Sequence, residues 1–331
     1  MTIITVIVTG NYRPVSLAAI MDVFTSVNHF SMQAGKDAPF QIEQLELKNG
    51  SVKPIQPLIQ TSNNRFVNGS KKQRVFNKTP DLILIPAFNA EELSESIRIN
   101  TAWIPWLQKQ YQKGAEVATF CTGAFLAGTA GILRNKKATT HLMYMDTFSR
   151  LYPDVIIDEN AVLTDHSGVY TSGGATSSFH LMLHLIKKIC GVEMSLKIAK
   201  MFAIDPDRST QSYFSEFKPA RKHQDPVVTR LQELIENHYK EDVSISDLTE
   251  KIPASRRTVY RRFKKATGLT PHKYLQKIRI ETARNLLENS EHQVNEVMYQ
   301  CGYNDPKTFR NLFRDSVGLS PSNYRRKFRA V

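Results

Sequence analysis

Two places in the 331-residue chain carry side chains whose type and spacing could do chemistry. The first is Cys121, in VATFCTGAF (117–125), set between an apolar β-like run and a small-residue segment that reads as a helix. A thiolate nucleophile needs a lowered pKa, from a helix N-terminus or a neighbouring imidazole, and a base held against it. The segment from Thr122 onward offers the helix start, and His141 in ATTHL is the candidate partner. The second place is 255–267. There Arg256, Arg257, Arg261, Arg262, Lys264 and Lys265 occupy one side with no acid among them, while Val259, Phe263 and Ala266 recur at helical spacing on the other. Arginine forks onto a guanine edge in the major groove and lysine neutralises phosphate, so an uncompensated basic helix of this kind is expected to lie on DNA.

The elements that must position these groups fall into two halves. A chain of this length exceeds one ordinary core and predicts two domains. Apolar residues at 41% and charged residues at 23% exclude wholesale disorder, and a net charge of +13 points to a polyanionic partner. Cys121, Cys190 and Cys301 are too widely spaced for a zinc motif and odd in number, so neither a metal, another cofactor nor a disulfide framework is expected. The N-terminus lacks the pattern of a signal peptide, and the longest uncharged run, Val117–Leu133, is short for a membrane span. A cytoplasmic protein with no membrane partner is expected.

Residues 1–210 alternate strand-like stretches (IITVIV, DLILIPA, AEVATF, GVYTS) with helical patterns at Ser16–Phe30, Glu91–Lys113, Thr122–Leu133 and Ala175–Ile189. That grammar predicts a mainly parallel sheet with helices on both faces. TSNNRFVNGSKKQRVFNKTP (61–80) is polar and basic and reads as a surface loop. A further helix is expected from residue 193, and FKPARKHQDP, within an expected linker at 211–226, separates the halves. His180, on an apolar helix, reads as a packed or dimer-facing side chain.

Residues 227–331 read as short helices and contain a repeat. VYRRFKKATGLTPHKY (259–274) matches FRNLFRDSVGLSPSNY (309–324) at an offset of 50, with Phe263, Gly268, Pro271 and Tyr274 over Phe313, Gly318, Pro321 and Tyr324. Thr270-Pro271 and Ser320-Pro321 supply an N-cap oxygen followed by proline at the first helical position. Gly268 and Gly318 suit the left-handed turn that ends a helix. Ser244 with Asp247 predicts a capping box, and Ser255 and Asp305 predict caps. The helix over 271–289 would span about 28 Å, a strut able to hold two recognition helices about 34 Å apart in successive major grooves.

On the stretches RTVYRRFKKATGLTPHKYLQKIRIETARNLL and CGYNDPKTFRNLFRDSVGLSPSNYRRKF, residues 227–329 resemble the AraC/XylS-type double helix-turn-helix domain. The resemblance implies base-facing positions at Arg257, Tyr260 and Arg261 and at Lys307, Arg310 and Asn311, with Arg256, Lys264 and Thr308 completing the DNA-contacting set. Met298 stands where that family usually carries alanine, which implies a looser second unit. On SLAAIMDVFTSVNHF, DLILIPA, FCTGAFLAGTAGIL, KKATTHL, GVYTSGG and DPDRSTQSYF, the first half resembles the PfpI-type, class I glutamine-amidotransferase-like domain of GlxA-type regulators, an α/β flavodoxin-like fold.

In that superfamily the cysteine sits on a nucleophile elbow, where Cys121 lies. Catalytic relatives place a glutamate near the first helix against it; Asp22 aligns there, one methylene shorter, and Thr122 stands where peptidase-like relatives carry histidine. No complete triad is legible. TSGG (171–174) is a glycine-rich turn ahead of a helix, which either offers free N–H groups to an anion or is a tight turn with no ligand. Asp22, Cys121, Thr122, His141, Ser172 and Gly173 are the expected ligand-binding set, at a site read as sensing rather than catalytic. The chain is therefore expected to be a homodimeric transcription regulator, an activator that binds double-stranded DNA, a small-molecule effector and RNA polymerase. A cysteine-dependent hydrolase or lyase tethered to DNA is the alternative.

Overall fold

A computed structural model describes residues 1–55, 58–60, 66–68, 78–174, 176–206, 214, 217, 219–221, 223–241 and 243–329. The chain divides into two units, Met1–Gln211 and Ser212–Val331.

The first unit is built on a seven-stranded sheet in the order β10-β11-β7-β6-β1-β2-β3. Its strands are β1 (Thr2–Val8), β2 (Phe40–Lys48), β3 (Ser51–Pro54), β6 (Leu82–Ile85), β7 (Glu116–Thr119), β10 (Leu163–His166) and β11 (Val169–Ser172). The inner strands pair in parallel, from β11 through β7, β6 and β1 to β2, and the two edges, β3 and β10, are antiparallel. The period-2 alternation of a strand sorts side chains onto two cores. Ile4, Val6, Leu82, Leu84 and Ala118 pack beneath α1 (Pro14–Gln33), α6 (Ser177–Cys190) and α7 (Val192–Met201). Ile7, Ile83, Ile85 and Val117 pack on the other face against Trp103, Leu107, Phe125 and Phe148. Such double-sided burial explains why LILI at 82–85 needs no polar residue.

Several expectations shift. The helix expected over Glu91–Lys113 is two, α2 (Leu93–Asn100) and α3 (Ile104–Gln112), joined by a 3₁₀ turn at Thr101–Trp103. Pro105 is tolerated only in the first turn of a helix, so a helix must restart there. The helix expected over Thr122–Leu133 is a 3₁₀ turn at Cys121–Gly123 and a short α4 (Ala124–Thr129), closed by Gly131 at φ 73°. Ala175 lies outside the described residues, and α6 begins at Ser177. Most of 61–80 also lies outside them; within that stretch β5 (Phe66–Asn68) pairs with β4 (Leu58–Gln60). Residues 137–138 (β8) and 156–157 (β9) form a small second pair flanking α5 (Met145–Leu151). His180 is packed, its ring nitrogens bonded to the carbonyls of Thr176 and Asp205.

The second unit holds seven helices among the described residues: α8 (Pro226–His238), α9 (Ile245–Glu250), α10 (Arg256–Thr267), α11 (Pro271–Asn289), α12 (Val294–Gln300), α13 (Pro306–Val317) and α14 (Pro321–Phe328). The punctuation acts as its chemistry requires. Ser244 and Asp247 close a capping box, Ser255, Thr270, Asp305 and Ser320 accept from the third residue of their helices, and Gly268 and Gly318 end α10 and α13 left-handed at φ 76° and 82°. Two cores result. Val228, Ile235, Leu248, Val259, Phe263 and Tyr274 form one, and Leu287, Val297, Met298, Phe309, Phe313 and Tyr324 the other. α11 serves both, with Tyr274, Leu275 and Ile278 in the first and Ile280, Ala283 and Leu287 in the second. Met298 is fully buried in the second core.

Candidate functional site

The repeat places α10 and α13 in equivalent settings, each capped at its start and anchored by one apolar face. Val259 and Phe263 hold α10, which leaves Arg256, Arg257, Arg261, Lys264 and Lys265 exposed and Tyr260 half-buried. The Arg256 guanidinium lies 5.4 Å from the centre of the Tyr260 ring, stiffening the exposed edge of the helix. Phe309, Phe313 and Val317 hold α13, which exposes Lys307, Thr308, Arg310, Asn311 and Arg314. Thr308 is tied to the cap, its N–H donating to Asp305 at 2.5 Å, and Arg314 donates to Asn311 at 3.3 Å. Among the described residues no ion pair engages Arg256, Arg257, Arg261, Lys264, Lys265, Lys307 or Arg310.

Arg262 corrects the expectation of a wholly uncompensated helix. Its Nε and Nη2 donate to Asp225 at 2.8 and 2.6 Å, and Asp225 at the same time caps α8 through the N–H groups of Val227 and Val228. The Arg262 guanidinium holds the Asp225 carboxyl below its usual range. The sequence hid this because the acid lies 37 residues upstream. Asp225, Arg261, Arg262, Lys265 and Ala266 line an open groove of about 460 Å³. The stretch expected as a linker at 211–226 is, in its described part, bonded along the second unit. Phe217 packs edge-on against Tyr274 at 5.4 Å, Arg221 pairs with Glu236 at 2.5 Å, and Gln232 donates to Ala220 at 3.0 Å.

In the first unit, Cys121 follows β7 after the single residue Phe120 and takes φ 55°, a left-handed conformation that costs a side-chain-bearing residue about 1–2 kcal/mol. Neighbours hold it there. Its N–H donates to Ser172 Oγ at 3.3 Å, and its carbonyl accepts from Thr140 Oγ1 at 2.9 Å. The Thr122 hydroxyl both accepts from Phe88 N and donates to Phe88 O. Gly123 must be glycine, because a Cβ there would lie 2.5 Å from the Ile85 carbonyl oxygen. Burial pushes the Cys121 thiol up to about 11, against the opposing pull of the Thr122 N–H and of the Arg13 charge. The thiol is therefore protonated at neutral pH.

His141 reaches the same neighbourhood through Thr140 and packs on Gly174, where an added Cβ would lie 3.0 Å from its Cδ2. Its Nδ1 accepts from Met143 N at 3.2 Å, which leaves the proton of the neutral ring on Nε2. Burial first, and then the Arg13 charge, lower its pKa and keep it neutral. Cys121, Thr122, His141 and Ser172 thus come together. Two expected members do not join them as foreseen. Asp22 is exposed, on the side of α1 opposite the stripe Ser16, Ile20, Val23, Phe24 and Val27 that packs on the sheet. Gly173 spends its N–H on the Val162 carbonyl at 2.9 Å, so it has none free for an anion. Arg13 was missed by the sequence reading; its place just beyond the first strand, at the carboxyl edge of a parallel sheet, was the signal that could have found it. Among the described residues no group of acids, histidines and cysteines could hold a metal, and no helix is long and apolar enough to cross a membrane.

Residues 46–188 match the model of the DJ-1/PfpI family, and residues 248–327 match that of a helix-turn-helix domain. The HTH-type transcriptional regulator CdhR of Pseudomonas aeruginosa is 26% identical over 267 residues, which span 80% of this chain and 77% of that one. The HTH-type transcriptional regulator GbdR of the same species is 27% identical over 223 residues, 67% of this chain and 60% of its own length. The HTH-type transcriptional activator RhaS of Salmonella arizonae is 39% identical over 101 residues, 30% of this chain and 36% of that one.

Proposed function

We propose that this chain, which joins a DJ-1/PfpI-family domain to an AraC-type helix-turn-helix domain and belongs with the DNA-binding transcription regulators, reads its operator through α10 and α13 under control of a small molecule held in the first unit. The observation that carries the DNA reading is the pair of capped helices on one strut, each held by aromatic anchors and each presenting cations that engage in no ion pair among the described residues. Arg257, Tyr260 and Arg261 read bases in the first half, and Lys307, Arg310 and Asn311 in the second. Arg256, Lys264 and Thr308 hold the backbone. The first unit, residues 1–210, pairs two copies, which doubles the base contacts of a module that alone makes few. Acting in the cytoplasm, the dimer presents RNA polymerase with an activating surface.

In the first unit Cys121 lines the sensing site and carries out no turnover. A thiol that burial holds protonated, an imidazole whose Nδ1 lone pair is taken by the Met143 N–H, and a carboxylate on the far side of α1 leave Cys121 without a base positioned to accept its proton. The alternative, a cysteine hydrolase or lyase, draws on the strained elbow at Cys121. Cys121→Ser separates the two: DNA binding is expected to stay at the wild-type level, with any change confined to the effector response. Loss of regulation together with loss of a measurable turnover contradicts the sensing role.

A further inference from the structure

The two halves of the second unit share a polar cluster behind the recognition helix, and they complete it differently. In each, the buried tyrosine of the repeat packs edge-on against the phenylalanine that anchors that helix. Tyr274 meets Phe263 of α10 at 5.3 Å, and Tyr324 meets Phe313 of α13 at 5.6 Å. Each tyrosine hydroxyl donates to a glutamate, Glu236 in the first half and Glu288 in the second. Four residues before each glutamate stands a buried side chain that donates to the same hydroxyl, Gln232 at 3.1 Å and Arg284 at 3.0 Å. The matching positions therefore differ in charge.

A carboxylate drawn toward a core and left without a cation destabilises the fold around it. In the second half α11 brings the cation itself, with the Arg284 guanidinium 5.4 Å from the centre of the Tyr324 ring. In the first half Gln232 is neutral, and the cation comes from the stretch of chain that leads in from the first unit. Arg221 Nη2 donates to Glu236 Oε2 at 2.5 Å. The Glu236 side chain is 25% exposed, so water screens it only in part. Burial first, and then the glutamate, raise the pKa of both tyrosines; the arginine that opposes this is Arg221 for Tyr274 and Arg284 for Tyr324.

The incoming stretch is fastened on both sides of Arg221. Gln232 donates to the Ala220 carbonyl at 3.0 Å and accepts from His223 Nε2 at 2.8 Å, and Phe217 packs edge-on against Tyr274. Further along, Asp225 holds Arg262 of α10 itself. The stretch reaches the second half too, where the Phe217 N–H donates to Glu281 and the Phe214 ring meets Phe328. There, however, the Tyr324–Glu288 pair already has its arginine from α11.

We infer that Arg221 is a positioning residue for α10. It lends the first half the cation that the second half carries on α11, so base reading by α10, and not by α13, depends on the chain leading in from the first unit. This rests on the DNA reading proposed above.

Amide hydrogen exchange of the free full chain, beside base preference measured position by position along the bound duplex, tests the assignment. Arg221→Gln is expected to speed exchange in α10 by about fivefold, the effect of losing a part-exposed charged hydrogen bond, and to leave α13 at the wild-type rate. It is expected to relax preference where Arg261→Ala does, with the salt slope unchanged, because Arg221 acts on Glu236 and not on phosphate. Arg221→Lys keeps a cation for Glu236 and is expected to stay close to the wild type. Gln232→Arg, added to Arg221→Gln, gives the first half the arrangement of the second and is expected to restore both readouts. Unchanged exchange in α10, equal quickening in α13, a salt slope lowered by about one unit, or a loss that neither Arg221→Lys nor Gln232→Arg repairs each overturns the assignment. Faster exchange in α10 with preference unmoved overturns it as well, unless Arg261→Ala also leaves preference unmoved. In that case the reading of DNA by α10 fails, and the assignment, judged on exchange, stands.

Discussion

Arg261→Ala is expected to weaken binding to the preferred operator by about 5- to 150-fold, the 1–3 kcal/mol carried by one bidentate base contact, and to relax preference at one or two base pairs. Arg261 is exposed on α10, engages no ion pair among the described residues, and lies on the wall of the groove beside Arg262. Lys264, one turn nearer the C-terminal end, is assigned to phosphate. Lys264→Ala is therefore expected to weaken all sequences alike and to lower the salt slope by about one unit. Arg310→Ala should cost less than Arg261→Ala, because α13 carries fewer cations and includes Asp315. Arg262 belongs to a different class: its loss strips Asp225 of its partner and disturbs the docking of α10 on α8. Binding of the variants to operator and scrambled duplexes across a salt series reads all of these at once. Identical specificity and salt slope for Arg261→Ala and Lys264→Ala contradict the division between reading and anchoring.

Phe313→Ala is expected to remove about 3–5 kcal/mol from the second helix-turn-helix unit, the range for deleting a buried phenylalanine. Phe313 is 0% exposed, packs edge-on against Tyr324 at 5.6 Å and meets Phe309 at 5.9 Å. A small domain is stable by about 5–15 kcal/mol in all, so the loss takes most of what holds α13 in place. Specific binding should collapse while weak, sequence-independent binding through α10 remains. Urea unfolding followed by circular dichroism, beside the same duplex assay, gives both readouts. A loss below about 1 kcal/mol shows that the second core does not depend on this ring.

Much of this arrangement was legible from local signals. The Phe, Gly, Pro and Tyr positions of the repeat are the anchors, left-handed caps, helix starts and core tyrosines of the two halves, each set by chemistry within a few residues. The repeated tyrosines even share a partner type: Tyr274 bonds Glu236, and Tyr324 bonds Glu288. What stayed hidden depends on contacts distant in sequence. Arg262 looked like one more free cation until Asp225 was seen to fold over it. The residues of the expected linker were read as spacer from their prolines and charges, yet Phe217 and Arg221 find their partners only once α8 and α11 are in place. FQIEQLELK at 40–48 breaks its alternation at Glu43-Gln44, which sends Phe40 and Ile42 to one core and Leu45 and Leu47 to the other, and this slip of phase masked it beside the apolar inner strands. At the cysteine, the elbow was readable from VATFCTGAF. Asp22 enters only through the family resemblance, and helix phase puts it on the far side of α1 from the sheet. TSGG reads equally as a turn with free N–H groups or as a tight turn with no ligand, and the N–H of its Gly173 goes to the Val162 carbonyl.

Hydroxyl-radical footprinting of the full chain, on duplexes it enriches from a random pool, tests the two-helix reading most directly. α11 is 19 residues long and spans about 28 Å, and it joins the cores that carry α10 and α13. Each bound module is expected to protect two patches on one face of the duplex, about 34 Å apart, with Arg310→Ala and Arg261→Ala weakening different patches. A single patch per module, two patches on opposite faces of the DNA, or the same patch weakened by both substitutions contradicts it.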